Sequence, residues 1–173
     1  MTDKKEKILN AALELFANDG YNAVSTNKIA TQAGVSEGLI FKHFVNKKGL
    51  LQAIMDDTER RLNEVLSHII FETAPKEVIR KVIELPYLTP ESSYDFWRLQ
   101  FKLKWEKEYY NPDKMKPLID KLTWAFQELQ HEAPALEAKL LEQTIESISI
   151  GILRDGKEQQ MPFRNFLLEK YKV

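Results

Sequence analysis

The apolar positions of this chain recur at helical spacing along most of its length. Ile8, Ala12 and Leu15 fall on one side of a helix predicted over residues 3–18, which ends at Gly20. No segment alternates apolar and polar residues for long enough to predict a strand. The pattern therefore predicts an all-α protein.

Residues 25–50 have the pattern of two short helices joined by a tight turn and followed by a third helix. Thr26 and Ser36 are placed to cap the first two helices, and Gly34 suits the reversal between them because glycine reaches left-handed backbone without a Cβ clash. Polar or small residues face outward on the second helix, namely Glu37, Gly38, Lys42 and His43. The apolar residues of both helices are expected to pack against each other, namely Ile29, Ala30, Ala33, Leu39, Ile40, Phe41 and Phe44. This is the pattern of a helix-turn-helix, whose second helix enters the DNA major groove.

A long helix is expected next, capped by Asn46 and ending near Phe71. At 1.5 Å per residue it would span about 35 Å, and it would be the mechanical link between the DNA-binding unit and the rest of the chain. Proline then precedes each further helical pattern, as suits a first helical turn. These helices are predicted over residues 90–110, 112–132, 136–153 and 162–171.

The predicted helix over residues 90–110 carries two apolar stripes rich in aromatic residues. Such a helix is either packed core or one wall of a ligand cavity, because small-molecule pockets are largely apolar and aromatic. On the second interpretation, the effector would be apolar and planar. The candidate lining residues are Trp97, Arg98, Phe101, Trp105, Tyr109 and Trp124.

Charge distribution adds a modest signal for nucleic acid. The whole chain of 173 residues carries a net charge of −1, but residues 1–50 hold seven lysines and five acidic residues. A mildly basic beginning on an acidic remainder fits a protein that docks one end on phosphate. Cysteine is absent, which excludes disulfides and thiolate metal sites, and no apolar run reaches membrane-spanning length. Because the N-terminus also lacks a signal-peptide pattern, we expect a cytoplasmic protein.

The segment AGVSEGLIFKHFVNKKGL resembles the DNA-binding signature of the TetR family of bacterial transcription regulators. Leu39 departs from the pattern, since the family often has Thr or Ser there, and Phe41 stands where Tyr is usual. The missing Tyr hydroxyl removes an expected phosphate contact. The matching positions are Thr26, Ile29, Ala30, Ala33, Gly34, Val35, Ser36, Gly38, Ile40, His43, Phe44, Lys47 and Leu50.

The resemblance implies a helix-turn-helix DNA-binding domain over residues 1–47 and a helical effector-binding and dimerisation domain over residues 48–173. It implies a homodimer on a palindromic operator in double-stranded DNA, and an unknown small-molecule effector. The DNA-contacting residues would be Thr26, Lys28, Ser36, Glu37, Gly38, Leu39, Lys42, His43 and Lys47. The last two long helices would form the dimer interface, with Leu141, Ile145, Ile148, Ile152, Phe163, Phe166 and Leu167.

Other chemistry is poorly supported by the sequence. Residues 34–38 match G-x-S-x-G, the serine-hydrolase elbow, but that motif needs a strand before Ser36 and the preceding residues are predicted helix. His131 and Glu132 begin an H-E-x-x-H motif, but Ala135 stands where the second His is required. We therefore expect a non-enzymatic transcription regulator without metal or cofactor, and a ligand-released repressor in particular. The alternative is a helical protein-interaction or scaffold module.

Overall fold

The computed structural model describes residues 3–106, 109, 111 and 113–173, apart from the side chain of residue 58. These residues form nine α-helices and no strand, which confirms the predicted all-α class. A short 3-10 turn, Glu91–Ser93, precedes the sixth helix. The helices are α1 (Asp3–Asp19), α2 (Thr26–Ala33), α3 (Glu37–Phe44), α4 (Lys47–Ile70), α5 (Pro75–Leu88), α6 (Tyr94–Leu103), α7 (Lys116–Glu128), α8 (Pro134–Asp155) and α9 (Lys157–Tyr171).

The chain forms two compact units. The head unit contains Met1–Leu62 and Ser92–Tyr109, and the body unit contains Asn63–Glu91 and Tyr110–Val173. The packing units therefore differ from a simple division after residue 47, because the part of α4 up to Leu62 and the whole of α6 belong to the head. The functional division into a DNA-binding and an effector domain stays a prediction.

The core of the head unit is built by α1, α2, α3 and the first half of α4 together with α6. Phe16, Ile29 and Ile40 are fully buried at the centre of this core. Leu99 and Leu103 of α6 belong to the same buried cluster, and α6 packs directly against α1. The helix-turn-helix is therefore completed by a helix that lies far from it in sequence.

Two predicted helices have different limits in the structure. Helix α6 ends at Leu103, and residues 104–106 form a turn, so the helix predicted over residues 90–110 was too long at both ends. Helix α7 begins at Lys116 and has Pro117 in its first turn, where proline loses no hydrogen bond. Tyr110 and Pro112, which bounded the two predicted helices, lie outside the described residues.

In the body unit, α5, α7, α8 and α9 pack on one another. Helix α9 begins at Lys157, so the prediction that Pro162 starts it was wrong. The Lys157 ammonium donates to the Thr89 carbonyl over 2.8 Å, and the Tyr87 hydroxyl donates to the Gln160 carbonyl over 2.8 Å. These contacts stabilise the helical turn that precedes Pro162. Without them, a proline inside a helix would be unfavourable.

Candidate functional site

The turn between α2 and α3 has the geometry of a helix-turn-helix. Ser25 caps α2 by accepting a hydrogen bond from the Lys28 backbone N–H over 3.1 Å, so Thr26, the predicted cap, is instead the first helical residue. Gly34 ends α2 with φ +65°, and the Val35 N–H closes the turn by donating to the Ala30 carbonyl over 3.0 Å. Left-handed backbone at this point is what reverses the chain into α3.

Thr26 and Glu37 join the beginnings of the two helices. The Thr26 hydroxyl donates to the Glu37 carboxylate over 2.6 Å. Ser36 occupies the N-cap position of α3 as predicted, but its side chain makes no capping bond. Sequence patterns did not anticipate the Thr26–Glu37 pair, because the two residues are eleven positions apart.

The outer side of α3 is open, as its polar pattern predicted. Lys42 and Gly38 are exposed, and a side chain added at Gly38 would meet no neighbouring atom. Leu39 and His43 are half-buried. Phe41, from which apolar contacts were expected, is 45% exposed and so presents part of its ring to solvent. Another molecule can therefore contact the outer side of α3 along the length of the helix.

The junction between α3 and α4 is tight and strained. Val45 has φ +67°, and the Asn46 N–H closes the turn by donating to the Phe44 carbonyl over 2.7 Å. Positive φ is unfavourable for a β-branched residue. The Asn46 side chain caps α4 as predicted, accepting from the Gly49 N–H over 2.8 Å. A Cβ at Gly49 would overlap the Phe44 carbonyl, so glycine permits this close approach.

Three lysines of the helix-turn-helix and of the first turn of α4 are in different electrostatic situations. The Lys47 ammonium lies 4.4 Å from the centre of the Tyr21 ring, and its partial burial lowers its pKa below the ordinary value. Lys28 pairs with Asp19 over 2.7 Å, so its charge is partly neutralised within the chain. Lys42 is exposed at the last turn of α3, where a positive charge also suits the helix dipole.

Lys102 of α6 supplies a charge that α1 lacks. The last turn of α1 contains no basic residue. The Lys102 ammonium donates to the carbonyls of Ala17 and Asn18 over 2.5 and 2.9 Å, at the end of α1 where free carbonyls accumulate. Sequence reasoning missed this contact, and its only sequence signal was the uncompensated C-terminus of α1.

The predicted pocket residues lie in different surroundings. Trp97 and Phe101 are half-buried on α6 with ring centres 6.2 Å apart, and the neighbouring Arg98 pairs with Asp95 over 2.9 Å. Trp105 follows the end of α6 and is 90% exposed, so it was wrongly placed on an enclosed wall.

The remaining two pocket candidates contact other groups. Tyr109 packs in the head unit, with its ring 6.4 Å from that of Tyr21. Trp124 is in the body unit, where the Lys121 ammonium lies 3.9 Å from its ring centre.

Helix α8 carries apolar residues on two faces, and most of the predicted interface residues lie on the face that the chain itself covers. Five of the seven predicted interface residues are buried within their own chain and have little surface left for a partner; these are Leu141, Ile145, Ile148, Ile152 and Leu167. The other two, Phe163 and Phe166 on α9, are exposed. The second face of α8 adds exposed apolar side chains, namely Leu136, Leu140 and Ile150.

The G-x-S-x-G match at residues 34–38 and the His131–Glu132 pair lack the surroundings that a hydrolase or a zinc site needs. Ser36 lies between α2 and α3, so no strand precedes it as a nucleophile elbow requires. The His131 ring packs 4.9 Å from that of Phe126 and 6.2 Å from that of Tyr171. Within the described part of the chain, no three His, Cys, Asp or Glu side chains converge as a metal site would need. None of the helices described is long and apolar enough to cross a membrane.

Comparison with known proteins agrees with this geometry. The fold and the α2–turn–α3 site define a protein with an N-terminal helix-turn-helix and a helical C-terminal region. Residues 8–54 match the model of the tetR family of bacterial regulatory proteins. The N-terminal segment of the chain is therefore similar to the DNA-binding region of the tetR family, as the sequence resemblance predicted.

Curated relatives match over the same region. The chain is 38% identical over 66 residues to the uncharacterized HTH-type transcriptional regulator YvkB of Bacillus subtilis, covering 38% of this chain and 35% of that protein. It is 39% identical over 59 residues to the HTH-type transcriptional regulator UidR of Escherichia coli, covering 34% and 30%. The matched segment thus spans about a third of the length of these relatives.

Solved structures extend the likeness in fold to nearly the whole chain. A putative transcriptional regulator from Saccharomonospora viridis in complex with choline superposes with a TM-score of 0.74 at 21% identity, covering 98% of this chain and 97% of that one. FadR from Bacillus subtilis in complex with stearoyl-CoA superposes with a TM-score of 0.68 at 23% identity, covering 96% of each. At this identity, the comparison establishes the shared all-helical fold.

Proposed function

We propose that the protein is a sequence-specific DNA-binding transcription regulator that acts as a repressor in the cytoplasm and leaves its operator when a small apolar ligand binds. The observation that carries the proposal is the open outer side of α3, which follows the tight turn at Gly34 and carries the exposed Lys42 in its last turn. Side chains on that face would enter the major groove, and the surrounding cations would hold phosphates.

The DNA contacts divide into two classes. Ser36, Lys42, His43 and Lys47 would hold phosphates, and Lys28 would do so once it separates from Asp19. The base-reading set would be Glu37, Gly38, Leu39 and Lys42, with Gly38 allowing the backbone to approach the bases. Phosphate contacts supply affinity and base contacts supply sequence choice.

Selection of bound sites from random DNA tests this function. The regulator hypothesis predicts enrichment of a palindrome whose half-sites are about 34 Å apart or a multiple of that distance. Leu39→Ala should change the preferred sequence more than the overall affinity. A helical interaction module without DNA activity would enrich no sequence, and this result would refute the proposal.

We also propose that the regulator is a homodimer through the exposed apolar face of α8 and α9, defined by Leu136, Leu140, Ile150, Phe163 and Phe166. Exposed apolar patches of this kind mark interaction sites. The three α8 residues fall on one side of the helix, since Leu136 and Leu140 are four residues apart and Ile150 follows ten residues later, nearly three full turns. Two copies of this face would bring two recognition helices together on one palindrome.

Light scattering on charged variants tests the dimer. Leu140→Arg should separate the subunits, because two copies would bury unpaired charge at the interface. Leu88→Arg is the matched control, since Leu88 is also an exposed leucine on a helix of the body unit but lies outside this face. An unchanged dimer in Leu140→Arg would place the interface elsewhere.

We propose that the effector binds at the half-buried rings of Trp97 and Phe101, whose ring centres are 6.2 Å apart. Flat apolar ligands suit neighbouring aromatic faces. The ligand must bind more tightly to a form that cannot match the operator, since otherwise it cannot shift DNA affinity. Both rings lie on α6 in the same unit as the helix-turn-helix, so the change would pass through α1, against which α6 packs, and through the first half of α4 in that unit.

Tryptophan fluorescence during operator release tests the effector site. A panel of flat aromatic compounds, with choline and stearoyl-CoA included because related folds bind them, should contain one that releases DNA. Trp97→Ala and Phe101→Ala should impair that response, whereas Trp105→Ala should preserve it because Trp105 is exposed. A normal response in Trp97→Ala and Phe101→Ala proteins would assign both rings to the core.

A further inference from the structure

Thr26 and Glu37 occupy equivalent places at the DNA-facing end of the helix-turn-helix. Each is the first residue of its helix, and the hydroxyl of one donates to the carboxylate of the other over 2.6 Å. Recognition helices contact base edges mainly through their N-terminal residues. The pair therefore stands where sequence would be read.

The hydrogen bond assigns Thr26 a role other than phosphate binding. A threonine hydroxyl carries a single proton, and here that proton points to the Glu37 Oε1 atom. Phosphate oxygens are acceptors, so they cannot bind Thr26 unless this bond breaks. The hydroxyl also does not cap α2, because Ser25 performs that task.

The same bond restricts the Glu37 side chain. Thr26 binds the Oε1 atom of the carboxylate. The Oε2 atom can still accept a hydrogen bond, and its position is restricted by the bond at Oε1. A free glutamate loses substantial rotamer freedom when it is ordered, and a preformed hydrogen bond reduces that loss at the moment of binding. Glu37 is thus prepared to accept a hydrogen bond at one place.

Base chemistry determines which partner such a group prefers. In the major groove, cytosine presents an amino donor at N4, guanine presents two acceptors, and thymine presents an acceptor and a methyl group. Adenine presents its N6 donor beside the N7 acceptor, which suits an amide and repels a carboxylate. Only cytosine offers a donor without an adjacent acceptor from the same base.

We propose that Glu37, positioned by Thr26, selects cytosine at one position of each operator half-site. This inference rests on the proposed function as a DNA-binding regulator and specifies how it chooses sequence. A competing explanation is that the pair only fastens α2 to α3. The two explanations differ because a fastening role predicts lost stability, whereas a reading role predicts a changed base preference.

Selection from random DNA, repeated with four proteins, separates these explanations. The wild-type protein should enrich cytosine at one position in each half-site. Glu37→Gln should lose that preference by roughly 5- to 150-fold, the range for one good base contact, and shift it towards adenine. Thr26→Val should weaken the discrimination and Thr26→Ser should restore it, because serine keeps the hydroxyl. Thermal melts of all four proteins report whether the fold is retained.

Each result has a distinct meaning. Cytosine enrichment that Glu37→Gln moves towards adenine supports the inference. A Glu37→Gln protein with the wild-type base profile overturns it, as does a folded Thr26→Val protein whose discrimination equals that of Thr26→Ser. If the wild-type protein enriches a palindrome without this cytosine, only the present inference fails. If it enriches no sequence at all, the proposed regulator function fails with it.

Discussion

Replacing Leu99 by Ala should destabilise the DNA-binding head although Leu99 lies about fifty residues from the helix-turn-helix in sequence. Its side chain is 0% exposed and belongs to the same buried cluster as Phe16 and Ile40. Truncating a fully buried leucine removes its transfer free energy and leaves a cavity, which together cost about 2–5 kcal/mol. For a chain of this size, about 3 kcal/mol corresponds to a melting temperature lowered by roughly 6–12 °C.

The assay should resolve the head from the body, since two compact units need not unfold in one step. Unfolding in urea, monitored by the hydrogen exchange of the α1 backbone amides, provides that resolution, because α1 packs directly on α6. Leu88→Ala is the matched control, as the same truncation at a side chain that is 75% exposed should change stability by less than about 0.5 kcal/mol.

The reasoning would be refuted if Leu99→Ala and Leu88→Ala had equal stability and equal protection in α1. Such a result would mean that α6 adds nothing to the core of the head. The expected result is faster exchange throughout α1 in Leu99→Ala alone, accompanied by weaker DNA binding at temperatures where the wild-type head is folded.

Two further predictions concern single sites in the structure. Val45→Gly should raise the free energy of unfolding by about 0.5–2 kcal/mol, because Val45 is 77% exposed and holds φ +67°; a urea titration in which Val45→Gly is less stable than wild type would contradict this. Glu72 accepts hydrogen bonds from Lys81 and from two backbone N–H groups, and these lower its pKa from an ordinary 4.5 to about 2. The bonds stabilise the folded state above pH 4.5, and this advantage is lost as pH falls towards 2, so the melting temperature of Glu72→Gln should lie below wild type at pH 7 and meet it near pH 2.

Helix identity was largely predictable because it depends on local periodicity. The helix-turn-helix and the long α4 were recognised from apolar spacing, the glycine turn and the Asn46 cap, all of which act within a few residues. The start of α9 was missed for the opposite reason. Its first turn is stabilised by Tyr87 of α5 and by Thr89, which directly follows α5, and no local pattern reports such a contact.

The choice between two apolar faces was not available from the sequence. Helix α8 has one face containing Leu141 and Ile148 and another containing Leu140 and Ile150, and both repeat at helical spacing. Only the packing of α5, α7 and α9 against α8 determines that the first face is covered by the chain itself. In the same way, the Thr26–Glu37 bond and the contact of Lys102 with α1 depend on how separate helices meet.

The salt dependence of DNA binding tests the central claim most directly. Affinity for a selected operator should be measured from low to high salt for wild type, Lys47→Ala and the control Lys116→Ala on α7. The account predicts a steep fall in wild-type affinity with salt, a slope lowered by about one in Lys47→Ala, and an unchanged slope in Lys116→Ala. Weak binding without salt dependence, or equal slopes in all three proteins, would contradict the placement of the DNA phosphates beside α3 and the beginning of α4.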